Sequence, residues 1–167
     1  PCATGFTYGE FEDYTITIIP PLSPSEACET IYVDAANGND SNTGTADNPV
    51  KTLARAMLSV SPSRNYIKMT TGTYAENTII NLQDDLVIDG RYTNNSGVWS
   101  KSSNTAATTQ ISFSGTETIN NDVAHVMGFK SDGKSNWKLI DLNIATVNAS
   151  GNTSSRNGMS NYAVYIA

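Results

Sequence analysis

From residue 65 onward the chain is a series of short runs of β character, each broken by Asn, Ser, Gly or Asp. They are 65–69 (NYIKM), 77–82 (NTIINL), 85–90 (DLVIDG), 110–115 (QISFSG), 124–129 (AHVMGF), 137–144 (WKLIDLNI) and 162–167 (YAVYIA). Each is too short for a helix, and the residues between them favour turns. A further run, 30–35 (TIYVDA), stands ahead of them. Such a chain folds as all-β. It can wind as a solenoid, each coil covering the one before, or pack as a sandwich. The separation of 25 residues between Leu139 and Val164 (164 − 139) is a spacing found in solenoid repeats.

One segment breaks the pattern. In 47–60 (DNPVKTLARAMLSV), Asn48 is placed to cap a helix and Pro49 to open it, since the first helical N–H needs no partner. Val50, Leu53, Ala54, Met57 and Leu58 then fall on one helical face, and Pro62 ends the segment. This short amphipathic helix needs an apolar surface to cover.

Asn, Ser and Thr supply roughly a third of the 167 residues, and charged residues only 16%. The net charge is −6 and the pI about 4.6. The ten basic residues are scattered, which argues against a nucleic-acid partner tracking phosphates and against an anionic membrane surface. No apolar run approaches the ~20 residues that span a bilayer. Residues 1–19 end in the alternating run YTITII (14–19), and the prolines of 20–29 stop it, so a linker is placed there. Cys2 and Cys28 are too few for a disulfide scaffold or a four-ligand zinc site. One bridge in an oxidising compartment is their functional reading; pairing elsewhere, or free thiols, is the other.

The stretch 8–18 (YGEFEDYTITI) resembles the closing segment of the GEVED domain, a β-rich module of large secreted bacterial proteins. The match rests on Gly9-Glu10-Phe11-Glu12-Asp13-Tyr14-Thr15, with Phe where the family usually has Val. The stretches 31–57 (IYVDAANGNDSNTGTADNPVKTLARAM) and 66–76 (YIKMTTGTYAE) resemble the start of a right-handed parallel β-helix of the pectin-lyase-like type. That resemblance implies N-terminal rungs over 30–167 beneath a short capping α-helix, preceded over 1–19 by the last strands of a β-sandwich-like domain. It also implies a secreted or cell-surface bacterial protein, exported in some relatives by the type IX route through a signal outside this sequence.

Loop 37–49 (NGNDSNTGTADNP) admits two functional readings and a structural one. A helix-loop-helix calcium site counted from Asn39 puts Val50 where the bidentate Glu belongs. Asp34, Asp40 and Asp47 converging on calcium in another geometry is the remaining metal reading. The structural reading is a bridge from strand to helix, because Asn, Asp and Gly accept left-handed angles and bond nearby amides. No catalytic set assembles. Asp84 and Asp85 adjoin, Asp89, Asp122, Asp132 and Asp141 are isolated, and the single histidine, His125, is placed on a strand surface or groove. Tyr92, Trp99 and Trp137 are the candidates for stacking against a sugar.

These residues point to a non-catalytic segment of a modular exported protein serving adhesion, glycan binding or structural display. Its partner would be a polysaccharide or cell-surface glycan, besides the export machinery, with neither nucleic acid nor membrane insertion and no cofactor other than calcium at those aspartates. The alternative is the N-terminal part of a polysaccharide lyase or glycoside hydrolase whose active rungs lie downstream. An uncapped strand at 162–167 leads to the expectation that the native chain continues into further rungs.

Overall fold

Residues 29–119, 124–149 and 159–167 are described by the structure, a computed structural model. The GEVED-like signature, Cys2, Cys28 and Asp122 lie outside the described residues. Strand β1 (Thr30–Val33) leads through the Asn-rich loop and helix α1 (Leu53–Met57) into three successive circuits of chain. The first holds β2 (Tyr66–Thr70), β3 (Gly72–Glu76) and β4 (Ile80–Asn81). The second holds β5 (Val87–Asn95), β7 (Thr109–Phe113) and β9 (Ala124–Ser131). Two short strands, β6 (Val98–Lys101) and β8 (Thr116–Thr118), fold back antiparallel onto β5 and β9. The third circuit holds β10 (Lys138–Ile140), β11 (Leu142–Thr146) and β12 (Asn161–Ile166).

Each circuit gives one strand to each of three parallel sheets. Sheet 1 is β1-β2-β5-β10, sheet 2 is β3-β7-β11 and sheet 3 is β4-β9-β12. The cause is the two-residue alternation of each run, which turns every second side chain inward. Ile31, Ile67, Ile88 and Leu139 share one register line. Tyr74, Ile111 and Ile144 form a second line, and Ile80, Phe129 and Val164 a third. Like residues therefore stack along the interior in one continuous cluster, whose third-circuit members Leu139, Ile144 and Val164 are only partly buried. At the corner between sheets 1 and 2, Asp141 stands over Gly90. A Cβ on Gly90 would lie 2.5 Å from the Asp141 carbonyl oxygen and 2.9 Å from Thr109 Cβ, so no side chain fits there.

The 25-residue spacing does not mark successive coils. Leu139 pairs with Ile88 in sheet 1 and Val164 with Phe129 in sheet 3, so the two belong to one circuit. Along sheet 1 the repeat is 21 residues from Ile67 to Ile88 (88 − 67) but 51 from Ile88 to Leu139 (139 − 88). The β5–β6 hairpin and the loops of the second circuit lengthen it.

The helix is also shorter than the sequence predicts. Val50 is fully buried and bridges Val33 in parallel, its amide donating to the Tyr32 carbonyl at 3.0 Å. A β-branched residue in an extended, fully buried site outweighs the helix start offered by Asn48 and Pro49. Thr52 is the cap instead, extended at φ −110° and ψ 151°, its hydroxyl accepting from the Arg55 amide at 3.1 Å. Leu53 and Ala56 are buried, whereas Leu58, expected on the apolar face, is 79% exposed. Helix α1 packs against β1 and β3.

Glu76 supplies the rest of the cap from 23 residues away. This side chain of β3 is buried, and its carboxylate accepts from the Leu53 amide at 2.7 Å and the Ala54 amide at 3.2 Å. Burial pushes its pKa up, the two amides oppose that rise, and the charge of Asp40 adds to it. A raised folded pKa means that Glu76 favours folding fully below its unfolded value, 4.5, and loses that contribution as pH rises through the folded value. Glu76→Gln keeps one acceptor and removes the titration. The Tm of the variant should therefore gain on wild type as pH rises from 4.5, and parallel curves would refute the assignment. Glu76→Ala should cost about 1–2 kcal/mol near pH 4.5 through loss of the cap, and less as pH rises.

Candidate functional site

The outer face of sheet 1 carries two rows of side chains across its strands. One is Tyr32, Lys68, Asp89 and Ile140; the other is Thr30, Tyr66, Val87 and Lys138. Because Ile67 and Ile88 point into the core, their neighbours Tyr66, Lys68 and Asp89 take the opposite face. Asp89 is the centre of the arrangement and only 3% exposed. Its Oδ2 accepts from the Tyr66 hydroxyl at 2.6 Å and the Tyr92 hydroxyl at 2.9 Å, while Oδ1 pairs with the Lys101 ammonium. Lys101 also donates to the Gly90 carbonyl and to Asp141 Oδ2, both at 2.7 Å. Arg91 pairs with Asp141 at 3.6 Å.

These contacts fix the tyrosines in their neutral form. Burial first, then the hydrogen bond and charge of Asp89, push the Tyr66 phenol up to about 12. The Tyr92 phenol is driven up by the same causes, burial leading. Lys68 lies on top of the cluster. Its ammonium stands 5.8 Å from the ring centres of Tyr32 and Tyr66 and 5.3 Å from that of Tyr92. Burial lowers its pKa, Asp89 opposes that, and Lys101 adds to the lowering.

Tyr92 was expected as an exposed stacking ring. It is buried, because β5 continues past the corner at Arg91 (φ +60°) and carries the ring beneath Lys68 and Lys101. Trp99 is half-buried on the β5–β6 hairpin, tilted against Tyr32 at 4.8 Å between centroids. Its indole N–H donates to the Ala46 carbonyl at 3.0 Å, tying the hairpin to the Asn-rich loop. Trp137 stands apart from both. It packs on the core cluster and donates to Ser131 Oγ at 3.1 Å. His125, expected at a surface or groove position on a strand, is buried, with Nδ1 accepting from the Ser160 amide at 3.1 Å and its ring against Tyr162.

Asp34, Asp40 and Asp47 do not converge. Asp34 accepts from the Ala36 and Asn37 amides and from the side-chain amides of Asn37 and Asn94. Burial pushes its carboxyl up, but those bonds outweigh it and hold the pKa below the ordinary range. Asp40 accepts from the Lys51 and Thr52 amides at 2.8 and 2.9 Å. The Asp47 carboxylate lies against Gly97 at the hairpin tip, where a Cβ would clash with its Oδ1, beside a polar groove of about 610 Å³ lined also by Asn37, Asn94 and Asn95. Among the described residues no three of His, Cys, Asp or Glu are grouped to hold a metal. The loop is stitched as a bridge from strand to helix: Arg64 Nη2 donates to the Thr30, Thr43 and Gly44 carbonyls, and Gly44 takes φ +76°.

Tyr32, Tyr66, Lys68 and Lys101 escape sequence reading as a site. The signal was present in the alternation of residues 30–33, 66–70 and 87–92, but it needs the circuits aligned, and the hairpin insertion hides that alignment.

Fold and face together define an all-β protein built of parallel sheets, consistent with a β-helix-like fold. The chain matches over residues 36–161 the family described as protein of unknown function DUF1565, a family associated with β-helix-like domains, and it belongs to that family. Neither the curated proteins nor the solved structures contain a match to it.

Proposed function

We propose that this chain is a non-catalytic stretch of right-handed parallel β-helix, of the pectin-lyase-like kind, within a modular exported cell-surface protein. In this reading sheet 1 presents a glycan-contacting face to the outside. The observation that carries it is the preorganised surface of Tyr66, Lys68 and Lys101, laid over the buried rings of Tyr32 and Tyr92, with the half-buried Trp99 at its edge. Rings and ammonium groups held by hydrogen bonds lose little freedom when a ligand arrives. Aromatic faces with a few fixed polar groups suit saccharide rings. Asp89 serves this face as an anchor, since two hydroxyls and one ammonium already fill its oxygens.

Titration of the protein with neutral and acidic oligosaccharides, read by calorimetry and tryptophan fluorescence, tests the proposal. Saturable binding that Trp99→Ala weakens is the expected result. Absence of binding to any oligosaccharide would overturn the glycan reading. Accumulation of unsaturated sugar products on incubation with acidic polysaccharide would replace it with lyase activity.

A further inference from the structure

Two ammonium groups on the outer face of sheet 1 have no hydrogen-bond acceptor or ion-pair partner among the described residues, those of Lys68 and Lys138. Lys68 is half-buried on three tyrosine rings, and Lys138 is exposed in the neighbouring row. The carboxylates that could neutralise Lys68 are engaged elsewhere. Asp89 holds Tyr66, Tyr92 and Lys101, and Asp141 holds Lys101 and Arg91. Lys68, Lys101, Lys138 and Arg91 against Asp89 and Asp141 leave two positive charges in excess (4 − 2), on a chain whose net charge is −6.

Ring faces attract an ammonium but accept none of its N–H bonds in the way an oxygen does. Lys68 is therefore held in place by the tyrosines with donors unfilled. We propose that Lys68 is an anion-binding position, which takes the carboxylate or sulfate group of an acidic saccharide. Lys138 lies two strands over and two residues along in register, about 12 Å away by strand spacing and rise. One small anion cannot bridge that gap, whereas successive acidic groups of an extended oligosaccharide can engage both lysines. The inference rests on the glycan-face reading and adds the charge of the ligand to it.

Three oligosaccharides of equal length form the test: one of uronic acids, one sulfated and one neutral. Each is titrated into wild type, Lys68→Gln, Lys68→Arg, Lys138→Gln and, as a charge control on sheet 3, Lys130→Gln. At least one acidic probe should bind more tightly than the neutral one, with affinity falling as salt rises. Lys68→Gln should weaken that binding by about ten-fold, Lys138→Gln should weaken it less, and Lys68→Arg and Lys130→Gln should leave most of it. Comparison of the uronic and sulfated probes identifies the anion. An unchanged Tm for Lys68→Gln establishes that the fold is intact. If that Tm falls, retention of binding by Lys68→Arg together with weakened binding in Lys138→Gln carries the test. Equal binding of neutral and acidic probes would overturn the anion site and leave the glycan face standing. No binding by any probe would overturn both.

Discussion

Phe113→Ala is expected to destabilise the protein by about 3–5 kcal/mol, lowering Tm by roughly 10 °C or more. Phe113 is fully buried in β7 of the middle circuit, in register with Glu76 of the first and Thr146 of the third. Its ring meets Phe129 edge-on at 5.0 Å between centroids. Gly128 makes room for it, since a Cβ there would lie 2.7 Å from Phe113 Cδ2 and 2.6 Å from the Ala163 carbonyl oxygen. Truncation thus opens a cavity between sheets 2 and 3 that cannot collapse, because the backbones on each side are tied into parallel ladders. Stacked circuits contact mainly their neighbours, so a defect in the middle one is felt in both directions. Leu58→Ala is the control: that side chain is 79% exposed and its loss should stay within about 0.5 kcal/mol. Urea denaturation of both variants decides the matter. Equal midpoints would mean that the interior does not run through Phe113.

The contrast between Leu58 and Phe113 also shows what the sequence makes legible. Local alternation is enough to place Ile67, Ile88, Ile111 and Phe129 inward, and the runs containing them all form strands. What local pattern cannot supply is the pairing of one circuit with the next. The step from Ile88 to Leu139 is far longer than that from Ile67 to Ile88, so an even period misassigns Leu139 and Val164. The helix fails for a related reason. Asn48 and Pro49 carry good start chemistry, but Val50 is claimed by a long-range bridge to Val33, and the cap comes from Thr52 and the distant Glu76. The site was legible only in fragments. Trp99 is one of three aromatics read as sugar-stacking candidates, and it proves to sit on a hairpin folded against Tyr32 and the Asn-rich loop. In sequence Asp89 reads only as an isolated carboxylate, and Lys68 carries no signal of its own. They matter because parallel register sets them side by side, a fact that belongs to the fold rather than to either run.

Asp89→Ala should cost about 3 kcal/mol, through loss of the acceptor of the buried Tyr92 hydroxyl, of the half-buried Tyr66 hydroxyl and of one partner of Lys101. Part of the usual penalty for a broken ion pair is spared, because the Lys101 side chain is 39% exposed and keeps Asp141 at 2.7 Å. The milder Asp89→Asn keeps an oxygen of similar shape and removes the charge, which separates electrostatics from packing. Alkaline titration then gives the sharper readout. Tyr66 has its folded pKa raised from 10.0 to about 12, so its contribution to stability is complete below 10.0 and is lost as pH rises through the folded value. Burial is the leading cause and survives the substitution, while the hydrogen bond and charge of Asp89 do not. In Asp89→Asn, Tyr66 and Tyr92 should therefore ionise at lower pH than in wild type, yet still above 10.0, and stability should fall less steeply above that pH. Amines are silent in phenolate absorbance, so the ultraviolet titration reports the tyrosines alone. Identical phenolate curves for wild type and Asp89→Asn would mean that the carboxylate does not hold these rings, and the preorganised face of sheet 1 would lose its anchor.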